Sequence, residues 1–405
     1  MENIEATIQN YKQVLMTMTQ STPERAQTML NLGNAYVERN QGDKPEYIKA
    51  AIDTYQQALN ILPKAGNEPL WARLQSALGD VLKQYYQEDR AENIEAAIAA
   101  YDLALTVQTP NVMPIAWAQT MLNRGNAYRN RIKGDKAENI EQAIDAHKQA
   151  LTVLTPSTTP AEWADTMNGL GNAYRERLRG DRAENIETAI AAYNQALTVR
   201  TQDTMPVEWA QTINNLGNAY TERLRGDRGQ NLEAAIAAYT QALIVRKRET
   251  LPIAWAISML NLGNSYQNRI SGDRAKNIET AIYAFNQAQA EITPSTMPAD
   301  WAIIMNNLGN ACVERRRGDR AQNLEAAIAA YNQALTVRTQ DTMPVAWAQT
   351  MNNLGNVYIE RIQGDKAENL KAAIDAYQQA LTVRKREGLP ADHRLTQRNL
   401  GHLYS

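Results

Sequence analysis

Asparagine side chains at two positions of a 46-residue period are the residues of this chain best suited to recognition chemistry. They flank a glycine that returns nine times, as Gly33, Gly79, Gly125, Gly171, Gly217, Gly263, Gly309, Gly355 and Gly401. One position after the glycine (position +1) stand Asn34, Asn126, Asn172, Asn218, Asn264, Asn310 and Asn356. Two positions before it (position −2) stand Asn31, Asn123, Asn215, Asn261, Asn307, Asn353 and Asn399. A carboxamide offers a hydrogen-bond donor and an acceptor together, which suits pairing with a peptide backbone.

Charged residues recur beside these amides. Position +4 carries Arg129 and Arg175, and position +5 carries Glu176, Glu222, Glu314 and Glu360. On a helix, positions −6, −2, +1 and +5 fall within about 60° of one another, on the side opposite the apolar residues. Asparagine is a mediocre helix former, so its repetition on an exposed face has a cost that packing does not explain. The pattern therefore predicts a binding face, with the alternative that the amides bridge neighbouring helices; the two roles can coexist.

Catalytic and metal-binding chemistry finds little support in the sequence. His147, His393, His402 and Cys312 each stand where other repeats carry Tyr, Trp, Asn and Tyr, which favours packing roles. The chain holds no H-E-x-x-H, C-x-x-C, P-loop or G-x-S-x-G motif. We therefore expect no enzyme activity, no metal site and no cofactor.

The elements that must position the asparagines are helices. In the third repeat, Trp117, Met121, Tyr128 and Ile132 lie within about 100° on a helical projection, which predicts one core stripe. Pro114 fits the first turn, and Gly134 fits the left-handed residue that ends a helix. The first helix of the repeat is therefore predicted to run from Pro114 to Gly134.

A second helix follows at once. Asp135 and Glu138 form a D-x-x-E pattern typical of a helix N-cap. Apolar and small residues then recur at helical spacing, as Ile140, Ala143, Ile144, His147, Ala150 and Leu151. The small residues would let two helix backbones approach closely. Each repeat is thus predicted to be a helix hairpin, with the seven periodic tryptophans in packing roles. The arginines at position +6 (Arg131 in this repeat) are predicted to form ion pairs, either with the aspartate at position +10 of the same repeat or between helices.

These residues resemble the tetratricopeptide repeat, whose signature matches Met167, Leu170-Gly171, Tyr174, Ala189, Tyr193 and Ala196. The unit is 46 residues long rather than 34, and such long units are similar to kinesin-light-chain-type arrays and to cyanobacterial arrays associated with CHAT domains. The resemblance implies an all-α, right-handed α-solenoid over residues 1–405. We expect about eight full units, with half units at 1–22 and 389–405. It also implies that the first helices line a concave groove, where an asparagine ladder grips the main chain of an extended peptide.

The near-identity of the repeats bears on specificity. Residues 192–207 reappear unchanged at 330–345, so many repeats present nearly the same polar residues on the predicted binding face. Recognition of a specific partner sequence is expected where a repeat departs from this pattern of polar residues. The candidates are Arg73 and Asp80, Arg129 and Arg175, and Ile257 and Ile303.

Composition limits the classes of partner. The 42 Lys+Arg and 44 Asp+Glu residues give a formal charge of −2, which argues against nucleic-acid and anionic-membrane binding. One cysteine excludes an intrachain disulfide, and residues 1–13 lack the apolar core of a signal peptide. We expect a cytoplasmic scaffold that binds a protein or peptide. The alternatives are a spacer, a repeat segment of a larger protein, or a head-to-tail self-assembling array, with RNA binding the least favoured.

Overall fold

The computed structural model describes residues 4–18, 22–39, 44–85, 89–385 and 387–403. In these ranges all regular structure is helical. Helices alternate between a first and a second helix of each repeat. The first helices are α2 Pro23–Glu38, α4 Glu68–Leu82, α6 Pro114–Asn130, α8 Pro160–Glu176, α10 Pro206–Glu222, α12 Pro252–Asn268, α14 Pro298–Glu314, α16 Pro344–Glu360 and α18 Pro390–Gly401. The second helices are α1 Ile4–Thr17, α3 Lys44–Ile61, α5 Arg90–Leu105, α7 Lys136–Ala150, α9 Arg182–Ala196, α11 Arg228–Val245, α13 Arg274–Ala288, α15 Arg320–Leu335 and α17 Lys366–Val383.

The chain divides into two compact units, Met1–Thr201 and Gln202–Ser405. Within each unit, a first helix packs along the second helix that follows it and against the second helix that precedes it, wherever the unit contains that neighbour. Each unit is therefore an all-α stack of helix pairs, as the sequence predicts. A single solenoid over 1–405 stays a prediction, and the predicted half units at 1–22 and 389–405 extend at 1–3, 19–21 and 404–405 beyond the described residues.

Local sequence sets the helix boundaries. Pro160 stands in the first turn of α8, where its missing N–H is no loss. Asp181 caps α9, since its carboxylate accepts a hydrogen bond from the Glu184 amide at 2.8 Å. Between them Gly180 has φ +78°, a conformation that favours glycine. The two helices have 17 and 15 residues, so the remainder of the 46-residue unit lies in segments 177–181 and 197–205.

The first helix is shorter than predicted. In the third repeat it ends at Asn130, and Arg131 is already extended at φ −61° and ψ 129°. Helical periodicity therefore does not reach Ile132, which is 60% exposed rather than part of the core stripe. The prediction for Gly134 was right about its left-handed conformation (φ +79°) and wrong about its place at the helix end.

The core of each repeat is a close contact between two helices. Tyr193 is fully buried against Gly171, where a Cβ would lie 2.6 Å from the Tyr193 ring. Ala189 and Ala196 on the same helix are fully buried as well, while Trp163 is half-buried on the edge of this cluster. The packing assigned to the small residues, the tyrosines and the tryptophans is thereby confirmed. The tight contact fixes the position of each first helix along its second helix, and with it the position of the asparagines.

Candidate functional site

The asparagines at positions −2 and +1, named here the amide ladder, link neighbouring first helices in the unit Gln202–Ser405. Asn218 Oδ1 accepts hydrogen bonds from the Tyr239 hydroxyl at 2.7 Å and from Asn261 Nδ2, on the next first helix, at 3.1 Å. Asn310 is held in the same way by Tyr331 at 2.6 Å and by Asn353 at 3.1 Å. The carbonyl oxygen at position +1 thus has both of its lone pairs engaged.

The same arrangement recurs at Asn356, whereas Asn264, between Asn218 and Asn310 in the series, has one hydrogen bond fewer. Asn356 Oδ1 accepts from Tyr377 at 2.6 Å and from Asn399 Nδ2 at 3.1 Å. Asn264 faces Phe285, which has no hydroxyl, so Asn264 Oδ1 accepts from Asn307 Nδ2 alone, at 2.7 Å. The bridging role that the sequence left as an alternative is therefore present in the structure.

These hydrogen bonds engage only one of the two polar groups, the oxygen or the NH₂, of each carboxamide. Within the described part of the chain, Nδ2 of Asn218, Asn264, Asn310 and Asn356 has no hydrogen-bond partner. The Oδ1 atoms of Asn261 and Asn353 are likewise without a donor. None of these unpartnered atoms is buried from solvent. Along this face, the ladder therefore presents NH₂ donors in four consecutive repeats and carbonyl acceptors at Asn261 and Asn353.

The ladder is interrupted in the unit Met1–Thr201. Tyr55 bonds to Asn34 at 2.7 Å and Tyr193 to Asn172 at 2.8 Å, as in the other unit. At Asn126 both partners are missing, because His147 replaces the tyrosine and Gly169 replaces the asparagine. The two replacements fit each other, since a Cβ at Gly169 would lie 2.8 Å from the His147 ring.

His147 is fully buried, and neither of its ring nitrogens has a hydrogen-bond partner. Its burial, with the nearby charges of Arg129 and Lys83, lowers the pKa of His147 from 6.5 to about 3. The imidazole is therefore neutral near pH 7. The packing role expected for His147 is confirmed, and it comes with a break in the ladder.

The charged residues predicted beside the ladder connect neighbouring repeats. Arg129 donates to Glu176 at 2.9 Å, between α6 and α8. Glu314 accepts from Gln267 at 3.2 Å and pairs with Arg274, and Glu360 pairs with Arg320. The remaining predicted positions, Arg175, Asn215 and Glu222, also take part in interactions within the chain. These charged residues thus make contacts within the stack of repeats. Their predicted role in binding a partner stays a prediction.

A second break has a cavity beside it. Asp80 replaces asparagine at position +1 and accepts from Tyr101 at 2.7 Å, while Lys83 reaches Asn123 at 3.4 Å. Ala77 replaces asparagine at position −2. A cavity of about 570 Å³ opens there, and its lining includes Arg73, Ala77, Asp80 and Asn123. Arg73 and Asp80, which the sequence analysis named as candidates for distinct recognition, therefore line the same cavity.

Arginines at position +6 bind the second helix of the preceding repeat. Arg315 holds Glu279 through two bonds of 2.8 and 2.9 Å, and Arg131, Arg177, Arg269 and Arg361 make the same paired contact. The hydrogen bonds from Arg315 lower the pKa of Glu279, and Glu279 in turn raises the pKa of Arg315. The interhelix ion pair expected at this position is confirmed.

A buried polar relay behind the ladder was missed by sequence reasoning. Arg338 donates to the Thr350 hydroxyl at 2.9 Å, and Thr350 donates to Asn306 Oδ1 at 3.1 Å. Arg246, Ser258 and Asn214 form the same relay, as do Arg384, Thr396 and Asn352. The signal was available, since other repeats carry Leu62, Leu154 and Ile292 at the position of these arginines.

The described ranges contain no group of three or more His, Cys, Asp and Glu residues placed to hold a metal ion. No helix there has the length and apolar character needed to span a membrane.

Comparisons with known proteins agree with the repeat architecture. Residues 347–387 match the family profile described as tetratricopeptide repeat. A chain of the APC/C hetero-tetramer Cut9–Hcn1 superposes with a TM-score of 0.51 at 14% identity, over 98% of this chain and 67% of that one. The apo form of RapI gives a TM-score of 0.56 at 13% identity, over 94% of this chain and 97% of that one.

At these identities the two solved structures establish the fold alone. No curated protein matches the chain in sequence. The profile match covers one repeat, and the constant 46-residue spacing of its glycines and the recurring helix pair extend the same unit along the sequence. The chain is an array of 46-residue helix-pair units that resemble the tetratricopeptide repeat, and the unit at 347–387 matches that family's profile.

Proposed function

We propose that this chain is a protein-interaction module that binds the main chain of an extended partner segment along its amide ladder. One observation carries the proposal: Asn218, Asn264, Asn310 and Asn356 engage their carbonyl oxygens within the stack, and among the described residues their NH₂ groups have no hydrogen-bond partner. Tetratricopeptide arrays generally mediate protein–protein interactions. The chain matched in Cut9–Hcn1 comes from a hetero-tetramer, which is consistent with a protein partner.

The internal bonds orient the amides for this task. With Oδ1 of Asn310 fixed by Tyr331 and Asn353, the NH₂ group of Asn310 has a defined direction before any partner arrives. A preoriented donor loses little entropy on binding. An extended main chain offers carbonyl acceptors and N–H donors at regular intervals, and the ladder offers the complementary groups.

Main-chain recognition by a nearly uniform ladder gives affinity with little dependence on partner sequence, because side-chain pockets supply specificity in extended-peptide binding. The cavity beside Arg73 and Asp80 supplies one such pocket in the first unit. Head-to-tail self-association and a cytoplasmic location stay predictions from the sequence.

The test removes the free donors and leaves the internal acceptors. Peptides would first be selected from a displayed random library against the whole chain. Their affinity would then be measured for a variant carrying Asn218→Asp, Asn310→Asp and Asn356→Asp. Aspartate keeps an oxygen for the tyrosine hydroxyl, as Asp80 does naturally for Tyr101 at 2.7 Å. We expect the affinity for uncharged peptides to fall by about tenfold or more, since each site loses a donor.

Tyr331→Phe is the matched control, because Phe285 already occupies the same place in the preceding repeat. This variant removes one internal bond and no free donor, so peptide affinity should stay within about twofold of wild type. Equal binding of the selected peptides by wild type and by the triple aspartate variant, with the fold intact, would show that the ladder does not hold the peptide.

A further inference from the structure

Four repeats place an arginine within four residues of the end of the second helix, at a position that is buried in the stack. Arg200, Arg246, Arg338 and Arg384 are 2%, 8%, 5% and 5% exposed. A buried guanidinium is costly unless a carboxylate and hydrogen bonds compensate it. The four repeats differ in whether the chain supplies that carboxylate.

Two of the arginines have a carboxylate of their own. Arg200 pairs with Asp165, at position −6 of a first helix, and Arg384 lies 3.9 Å from Asp392, near the start of another first helix. In both pairs the arginine side chain is buried, at 3% and 6% exposure, while the carboxylate side chain is about half exposed, at 48% and 43%. A carboxylate at the solvent-facing surface can therefore reach these buried guanidinium groups.

Arg246 has no such partner among the described residues. Its hydrogen bonds go to the Ser258 hydroxyl at 2.9 Å and to the Ala254 carbonyl at 3.3 Å. Gln211 stands in the place of Asp165, and Ala254 in the place of Asp392. Burial lowers the pKa of Arg246 to about 10, with no acidic neighbour to offset it.

Arg338, two repeats further along the chain, likewise has no carboxylate partner among the described residues. Within the described ranges its hydrogen bond goes to Thr350, at 2.9 Å, and its Nε atom is buried without a partner. Ile303 and Ala346 occupy the two places where a carboxylate would stand. Burial lowers the pKa of Arg338 as well.

In the second repeat, the position equivalent to these arginines lies at the same face as the ladder. It is occupied there by Gln108, which bonds to Ser76 and Thr120. Gln108 lines the cavity that Asn34, Asn123 and Asp165 also line. A ligand along the ladder would pass Gln108 in the second repeat, and the 46-residue period places Arg246 and Arg338 at the equivalent point of their own repeats.

We propose that Arg246 and Arg338 bind two carboxylate side chains of the partner segment, which makes the preferred partner an acidic extended peptide. This inference rests on the proposed function and adds the chemical class of the partner. The partner's carboxylates take the places that Asp165 and Asp392 hold in the other two repeats. Each guanidinium then gains a charge-assisted hydrogen bond that the chain itself does not provide.

The repeat geometry sets the spacing of the two acidic residues. Adjacent first helices pack about 10 Å apart, so two repeats separate the arginines by about 20 Å. An extended chain rises about 3.3 Å per residue, which makes the acidic residues about six positions apart. An even separation also places both side chains on the same side of the strand.

The experiment uses synthetic peptides of about a dozen residues with blocked termini. One carries two glutamates about six positions apart in an uncharged background, and its match carries glutamines there. For wild type we expect the glutamate peptide to bind about tenfold more tightly, with a preference that weakens as salt is raised. Equal affinities, or no binding of the glutamate peptide, would overturn the inference.

Two sets of variants locate the effect. Gln211→Asp with Ile303→Asp supplies internal carboxylates at the places equivalent to Asp165 while keeping both arginines, and should abolish the preference for glutamate. Arg246→Met with Arg338→Met should do the same. A preference that survives in the aspartate variant contradicts the proposal even if the methionine variant fails to fold.

A matched control separates this inference from the proposed function. Arg384→Met changes an arginine that has Asp392 beside it, so the glutamate preference should persist. The ladder is tested by the absolute affinity of the uncharged peptide, and the arginines by the ratio between the two peptides. Failure of one proposal is therefore visible independently of the other.

Discussion

Asparagine at position +1 should stabilise the stack far more where a tyrosine faces it than where a phenylalanine does. The comparison is between Asn310→Ala, opposite Tyr331, and Asn264→Ala, opposite Phe285. Both substitutions remove one bond to the next first helix, at 3.1 Å for Asn310 and 2.7 Å for Asn264. Both also gain a similar helix propensity, about 0.5 kcal/mol. Only Asn310→Ala leaves a buried hydroxyl without an acceptor.

The expected difference follows from that hydroxyl. Tyr331 is 2% exposed, so its hydroxyl is poorly placed to find water as a replacement. Leaving a buried donor unsatisfied costs about 1–3 kcal/mol. The amides of Asn307 and Asn353 are half-buried and can turn to solvent, so their loss should cost less. Asn310→Ala should therefore destabilise its repeat by about 1–3 kcal/mol more than Asn264→Ala destabilises its own.

Hydrogen exchange measured by mass spectrometry suits the comparison, because repeat arrays open locally and seldom unfold in a single step. Amides of α14 and α15 in Asn310→Ala should lose about tenfold more protection than those of α12 and α13 in Asn264→Ala. Adding Tyr331→Phe to Asn310→Ala should recover most of the loss. Equal losses in the two single variants, or no recovery in the double variant, would refute the assigned hydrogen bonds.

Three further predictions concern stability. Because the folded pKa of His147 is about 3, below its usual 6.5, stability should fall by about 1.4 kcal/mol per unit as pH drops between these values, and His147→Tyr should remove this slope in urea titrations at pH 7 and 4.5. Gly217→Ala places a Cβ 2.7 Å from the Tyr239 ring and should cost about 1–3 kcal/mol in thermal or urea unfolding, whereas a gain would contradict the close contact. Arg315→Lys loses the paired geometry with Glu279 and should cost about 0.5–1 kcal/mol near pH 7. The hydrogen bonds from Arg315 lower the pKa of Glu279, so this cost should disappear as acid protonates Glu279 in the folded chain, because the ion pair stabilises only the charged carboxylate. A cost that persists unchanged after Glu279 is protonated would contradict the ion pair.

Repetition made most of the fold predictable from the sequence. The small residue at Gly171 and the bulky one at Tyr193 recur together, so their contact could be inferred from spacing alone. The helix boundary near Asn130 could not, because Ile132 keeps an apolar character in a segment that has left the helix. Periodicity reports which face a residue would take if the helix continued, and it carries no signal for where the backbone turns away.

The residue types of the candidate binding site were predictable from the sequence, and their hydrogen bonds were not. The asparagines stood out, yet their division into engaged and free atoms depends on contacts between one repeat and the next. Arg246 and Arg338 were missed because each position was judged within its own repeat. Comparison with Leu62, Leu154 and Ile292 at the same position marks these arginines as unusual.

The most direct test of the account is to observe the ladder amides while a peptide binds. Protein labelled with ¹⁵N at asparagine side chains would be titrated with a selected peptide, and the NH₂ resonances followed by nuclear magnetic resonance. We expect shifts and slowed hydrogen exchange for Nδ2 of Asn218, Asn310 and Asn356. The resonances of the buried Asn214, Asn306 and Asn352 should stay in place. Ladder resonances that remain unchanged at saturating peptide would contradict the account.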